Sequence, residues 1–222
     1  MTASLSAPSA CPRQPELVSR IERAFGFSVN GDVSCRMVGR DGMANVMQKA
    51  GWSKNETDGV VGFHLGKDIF IRNDASWSVL HELIHRFGVN ADRLNRWVAE
   101  GLTEAVAREL KRSDVEHRAT YPSETAWVQS RLLPKVKMSA VDLGRMLARA
   151  SDPPAVLADL LVRNDPKLDR AKLVRELAPQ RPTAPGLGSA LCRSCSTGKP
   201  PSFAQIEEGP ELSSILIGFG GV

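Results

Sequence analysis

A chain of 222 residues with 42% hydrophobic and 24% charged side chains can build one packed domain with appendages, or two small ones, and its composition is that of an ordinary globular protein. The formal charge of +4 comes from 29 basic and 25 acidic residues that are mixed along the chain, so nothing marks a nucleic-acid partner, and no apolar run is long enough to span a bilayer. Aromatic residues are sparse, with Tyr121 as the single tyrosine, and four cysteines are too few for a disulfide framework at this length.

Residues 1–15, rich in Ser, Ala and Pro, read as a flexible lead-in. They hold neither the basic nor the apolar region of a conventional signal peptide, so a cytoplasmic protein is expected, or one exported without a classical signal. "ELVSRIERAFG" places Leu17, Val18, Ile21 and Phe25 on one helical stripe and stops at Gly26. "MANVMQKAGW" reads as a second short helix. "GVVGFHLGKDIFIRND" reads as a hairpin with Gly-Lys-Asp at its turn, and His64 in the first strand reads as an ordinary strand side chain.

"NDASWSVLHELIHRFG" opens on Asp74 as N-cap and closes on Gly88 as C-cap, with Leu80, Leu83, Ile84 and Phe87 as its apolar stripe. "WVAEGLTEAVARELKRSD" repeats the helical spacing through Trp97, Val98, Leu102, Ala105, Val106 and Leu110. From residue 123 the chain reads as helices: "SETAWVQSRLL" up to Pro134, "SAVDLGRMLARA", "PPAVLADLLVR", and "DPKLDRAKLVREL" with Pro166 near its first turn. Residues 179–222 hold six prolines and seven glycines, too many for packed helix or continuous sheet. The pair Cys192 and Cys195 in "CRSC" is a lone C-x-x-C and a weak zinc signal.

The chemistry concentrates in "HELIH". Positions four apart lie one turn apart on the same helix face, so His81 and His85 direct two imidazoles at one point. Neutral imidazole is a common zinc ligand. Glu82 sits about a hundred degrees round the helix from His81, too far to complete the same set yet near enough to reach a water at the metal, as a general base must. A catalytic zinc takes three protein ligands. The next helix offers Glu100 and Glu104, again four apart, and on spacing alone either is the third ligand. The other then stands one turn away, placed to orient a ligand histidine.

"HELIH" followed by "WVAEGLTEA" resembles the gluzincin metallopeptidases, the thermolysin-like superfamily, and within it the peptidase MA-like branch, whose second helix often reads W-x-x-E-G-x-x-E. The resemblance covers about residues 65–112. It implies that Glu100 is the third zinc ligand, with Glu104 as its neighbour or as an alternative ligand. It also implies that Glu82 is the base for hydrolysis of peptide bonds, that the strand "DIFIR" borders the cleft with an edge to which an extended peptide can add, and that a tyrosine or histidine, here Tyr121 or His117, stabilises the oxyanion. The expected fold is a mostly helical α+β one: a small N-terminal hairpin or sheet packed on the H-E-x-x-H helix and the following Glu-bearing helix, with a C-terminal helical part. The expected division is a flexible segment over 1–15, a metallopeptidase-like domain over 16–178 (site core 65–112, helical part 123–178) and a tail over 179–222.

The expected cofactor is Zn2+ and the expected partner a peptide or protein substrate, with no nucleic acid and no membrane. The alternatives are a catalytically silent metal-binding regulator on the same scaffold, or a leaderless secreted effector protease. Two devices for latency are open: the apolar end of the tail in the cleft, or Cys11 or Cys35 capping the metal.

Overall fold

The computed structural model describes residues 9–29, 32–53, 57, 59–89, 93–111, 118, 120–179, 190–192 and 200–201. It is an α+β protein, mostly helical, with a small mixed sheet formed chiefly by the N-terminal part. Helix α1 (Gln14–Phe25) begins on Pro15 in its first turn and ends at Gly26, whose φ of 67° closes the helix in the left-handed region that glycine tolerates. Strand β2 (Ser34–Val38) and helix α2 (Arg40–Lys49) follow, then the hairpin of β3 (Val60–Leu65) and β4 (Asp68–Arg72), turning at Gly66 with φ of 60°.

The sheet order is β1-β2-β4-β3-β5, where β1 is Ser9–Ala10 and β5 is Ala190–Cys192. Among the described residues only the β2–β4 pairing is parallel. "DIFIR" is therefore a central strand with β2 on one side and β3 on the other, and it has no free edge to offer a peptide. That expectation is corrected. The outer edge of the hairpin belongs to β3, and β5 pairs with it: Val60 with Cys192, Gly62 with Leu191, Phe63 with Ala190.

Each sheet face is covered. Val38, Phe63 and Phe70 pack with Met43 and Met47 of α2 on one side. On the other, Cys35, Met37, Val61, Ile69 and Ile71 join the main core with α1 and the two helices that carry the motif. The first, α3 (Val79–Arg86), is buried on every side from Val79 to His85, so the polar residues of "HELIH" lie inside the protein. The second, α4 (Arg96–Leu110), is buried from Val98 to Ala107. Phe87 just beyond α3 meets Phe25 of α1 edge-to-face at 5.9 Å, a geometry the ring quadrupoles favour.

The remaining helices form a C-terminal layer: α5 (Pro122–Trp127), a π-helical turn over Val128–Leu132, α6 (Leu133–Val136), α7 (Ala140–Arg149), α8 (Pro153–Asn164) and α9 (Arg170–Leu177). Among the described residues no helix is long and apolar enough to cross a membrane.

Four local expectations differ from the structure. Asp74 does not cap α3; it pairs with Arg72 at 2.7 Å, and a 3₁₀ turn over Ser76–Ser78 leads into the helix. Pro134 does not end its helix, because the π turn just before it widens the ladder where proline supplies no N–H. Pro166 lies ahead of α9, which starts on the Asp169 cap accepting from the Lys172 N–H. Cys11 and Cys35 are joined in a disulfide that ties the N-terminal segment to β2, so neither thiol is available to cap a metal.

Candidate metal centre

Helix α3 projects His81 and His85 toward α4, and α4 projects Glu100 back. His81 Nε2 and His85 Nε2 are 3.0 Å apart, and Glu100 Oε2 lies 3.2 Å from the first and 3.1 Å from the second. Donors bound tetrahedrally at about 2.0–2.1 Å from zinc stand roughly 3.3 Å from one another. The observed triangle is close to one face of such a polyhedron. Among the described residues these three are the group whose ligand atoms converge within 4.8 Å, and all three are buried.

The tautomers support the same conclusion. His85 Nδ1 lies 2.5 Å from the Val89 carbonyl oxygen, which can only accept, so the proton sits on Nδ1 and the Nε2 lone pair faces the cluster. Thr103, one turn beyond Glu100, donates to the same carbonyl at 3.1 Å. His81 Nδ1 points at Glu104 Oε2, 3.4 Å away, so a proton kept there would free Nε2 as a ligand once a cation displaced its other proton. Two imidazole nitrogens and a carboxylate oxygen thus meet inside the protein, an arrangement that could hold a metal ion. The donor set of two nitrogens and one oxygen suits a divalent metal such as zinc.

Glu104 is held in turn by Thr120 Oγ1 at 3.2 Å and Arg108 Nε at 3.2 Å. Its position beside His81, and outside the converging triangle, is that of an orienting partner. Arg96 Nε stands 3.5 Å from Glu100 Oε1, and the Tyr121 ring lies 5.8 Å from the His81 ring. Burial opposes the charge on Arg96, but Glu100 and Tyr121 outweigh it and keep the guanidinium protonated. His117 lies outside the described residues, as do Cys195 and most of the tail.

Without metal, burial works against a charge on His81, yet hydrogen bonds to Glu100 and Glu104 hold its pKa up to about 10. Burial likewise raises Glu100, but His85 and His81 around it keep the carboxyl well below the usual range. Glu82 differs. It is 1% exposed, and neither carboxylate oxygen has a hydrogen-bond partner among the described residues. Burial lifts it to about 7 against the pull of His85 and His81.

Sequence pattern did not single out two neighbours of this glutamate. His64, which reads as an ordinary strand side chain, is buried with Nε2 2.7 Å from the Glu82 carbonyl oxygen and its ring 6.2 Å from that of His85. Burial first and His85 second hold His64 down to about 3, so it is neutral. Gly62 lies against the Glu82 side chain. A glycine inside a strand often marks such a close approach, and this was the available signal. Comparison with protein families, curated proteins and solved structures finds no match to the chain.

Proposed function

We propose that the protein is a zinc-dependent peptidase in which His81, His85 and Glu100 hold the metal and Glu82 is the general base. One observation carries this reading: three ligand atoms, two imidazole and one carboxylate, converge between α3 and α4, and beside them a further carboxylate, that of Glu82, is buried with neither oxygen hydrogen-bonded among the described residues. Zinc, when bound, supplies Lewis acidity and lowers the pKa of water toward neutrality. Glu82, buried beside the two imidazoles, is placed to accept a proton from the attacking water and return it to the leaving amine. Tyr121, whose ring lies 5.8 Å from that of His81 and which interacts with Arg96, is the candidate donor to the oxyanion. The substrate is a peptide or protein. The Cys11–Cys35 bond fits an oxidising compartment and favours export over a cytoplasmic location.

The second reading, a metal-binding regulator without turnover, draws on the burial of the site, where His81, Glu82, His85 and Glu100 are at most 3% exposed. A chelator-controlled peptide-library screen separates the two. Purified protein should carry about one zinc per chain and cleave peptides until the metal is stripped. Glu82→Gln should keep the metal and lose hydrolysis, whereas His81→Ala with His85→Ala should lose both. Undiminished turnover in Glu82→Gln removes that residue from the mechanism, and no cleavage by the zinc-loaded wild type favours the regulator.

A further inference from the structure

Glu82 must hold its carboxylate in one place, yet neither of its oxygens is tied by a hydrogen bond among the described residues. Its position is set from β3. Gly62 and His64 are two residues apart on that strand and so share a face. A Cβ placed on Gly62 would stand 2.7 Å from Glu82 Cδ and 2.9 Å from Cγ, and nearer still to Oε1, so the side chain rests on the bare strand backbone. His64 Nε2 lies 2.7 Å from the Glu82 carbonyl oxygen and 3.5 Å from its Oε2. A carbonyl only accepts, so Nε2 carries the proton, and the same N–H faces both the main chain and the carboxylate of Glu82. His64 does not belong to the three-residue group that converges on the metal position.

We propose that Gly62 and His64 form a seat on β3 that positions Glu82: the glycine sets how deep the carboxylate lies, and the imidazole N–H fixes the helix turn that bears it. His64 is thus a positioning residue that acts through Glu82. The kinetic part of this proposal rests on the peptidase reading, whereas the structural part stands without it. A displacement of about 1 Å in a reacting group costs on the order of 100-fold in rate.

The test uses the full chain loaded with zinc and three variants: Gly62→Ala, His64→Leu and His64→Gln, whose amide N–H reaches the same carbonyl. Zinc affinity by chelator competition should stay within about threefold of wild type in all three, and KM likewise. The turnover number should fall about 10- to 100-fold in Gly62→Ala and His64→Leu, and recover most of the way in His64→Gln. Independently of activity, the 13C carboxylate signal of Glu82, assigned by its loss in Glu82→Gln, should shift in the first two variants and stay in place in the third. Should His64→Leu fail to fold, Gly62→Ala and His64→Gln carry the test. An unmoved Glu82 signal in Gly62→Ala overturns the seat, as does a His64→Gln variant as impaired as His64→Leu. A shifted signal with unchanged turnover overturns its role in catalysis. A wild type that cleaves no peptide removes the peptidase reading, and the carboxylate signal alone then decides the seat.

Discussion

Gly101 follows the proposed ligand Glu100 and faces α5, so Gly101→Ala probes how the second motif helix is held. An alanine Cβ there would stand 2.5 Å from the Glu124 carbonyl oxygen, 2.7 Å from its carbon and 2.8 Å from Val128 Cγ2. Ordinary contact begins near 3.4 Å, so the α5 backbone has to retreat by roughly 0.9 Å. That backbone resists, because the Thr125 N–H and hydroxyl both bond to the Tyr121 carbonyl, at 2.9 and 2.6 Å. Because backbone has to move, overpacking here falls at the upper end of its usual range, about 2–3 kcal/mol, and the better helix propensity of alanine returns ~1 kcal/mol, leaving a net loss of about 1–2 kcal/mol. At a urea m-value of about 2 kcal/mol/M, the unfolding midpoint should fall by roughly 0.5–1 M. Zinc affinity should fall as well, since Glu100 rides on the displaced helix. A midpoint equal to or above that of wild type would show that the close approach of α4 and α5 is not a constraint, and glycine after the ligand would then have no packing cause.

Glu104→Leu removes the acceptor facing His81 Nδ1 and should weaken zinc binding about 10- to 100-fold in a chelator competition, with Glu104→Gln less affected; unchanged affinity in the leucine variant refutes the orienting role. In metal-free protein Glu82 is raised to about 7 from 4.5, so its contribution is fully present below pH 4.5 and lost as pH rises through 7. His81, raised to about 10 from 6.5, adds a contribution present below pH 6.5 and lost on rising through 10. His64, held down to about 3 from 6.5, acts in the opposite sense, its contribution growing as pH rises to 6.5, and it offsets the Glu82 loss between pH 5 and 6.5. Urea midpoints in chelator should therefore stay level from pH 5 to 6.5 and fall from there to pH 10, and in Glu82→Gln they should instead rise between pH 5 and 6.5. A chain ending at residue 179 lacks β5, so amide exchange at Val60–Phe63 should accelerate; unchanged exchange means that β5 does not protect that edge in solution.

The chemistry was readable where a short period sufficed. The i, i+4 spacing of His81 and His85 fixed a common face for any helical backbone, and the structure puts their Nε2 atoms 3.0 Å apart. Spacing alone left Glu100 and Glu104 equivalent, because they too are one turn apart; what separates them is the placement of α4 against α3, which brings Glu100 to both imidazoles and Glu104 to the far nitrogen of one. The hairpin was legible from its Gly66 turn, but not its place in the sheet. That β4 is central depends on β2 joining it in parallel across an intervening helix and strand, and that β3 is covered depends on β5, more than a hundred residues on. The disulfide is non-local in the same way, since residues 24 apart are joined only because β1 and β2 pair.

The choice between a peptidase and a silent metal protein turns on Glu82 more than on the ligands. Three donors and their orienting partners would serve a purely structural ion equally well, and such sites commonly close with a fourth protein ligand. Here the next carboxylate along α3 does not close the set. It is buried without a hydrogen bond among the described residues and lifted toward neutral pKa, a placement that costs stability unless something is gained from it. A scaffold kept only for binding loses nothing by replacing that glutamate with an apolar side chain of similar size, and gains stability. A base that must exchange a proton near neutral pH has to keep it, and the bare strand at Gly62 is shaped to admit the carboxylate. The local violation of good packing chemistry thus falls on the one residue that hydrolysis needs and metal storage does not.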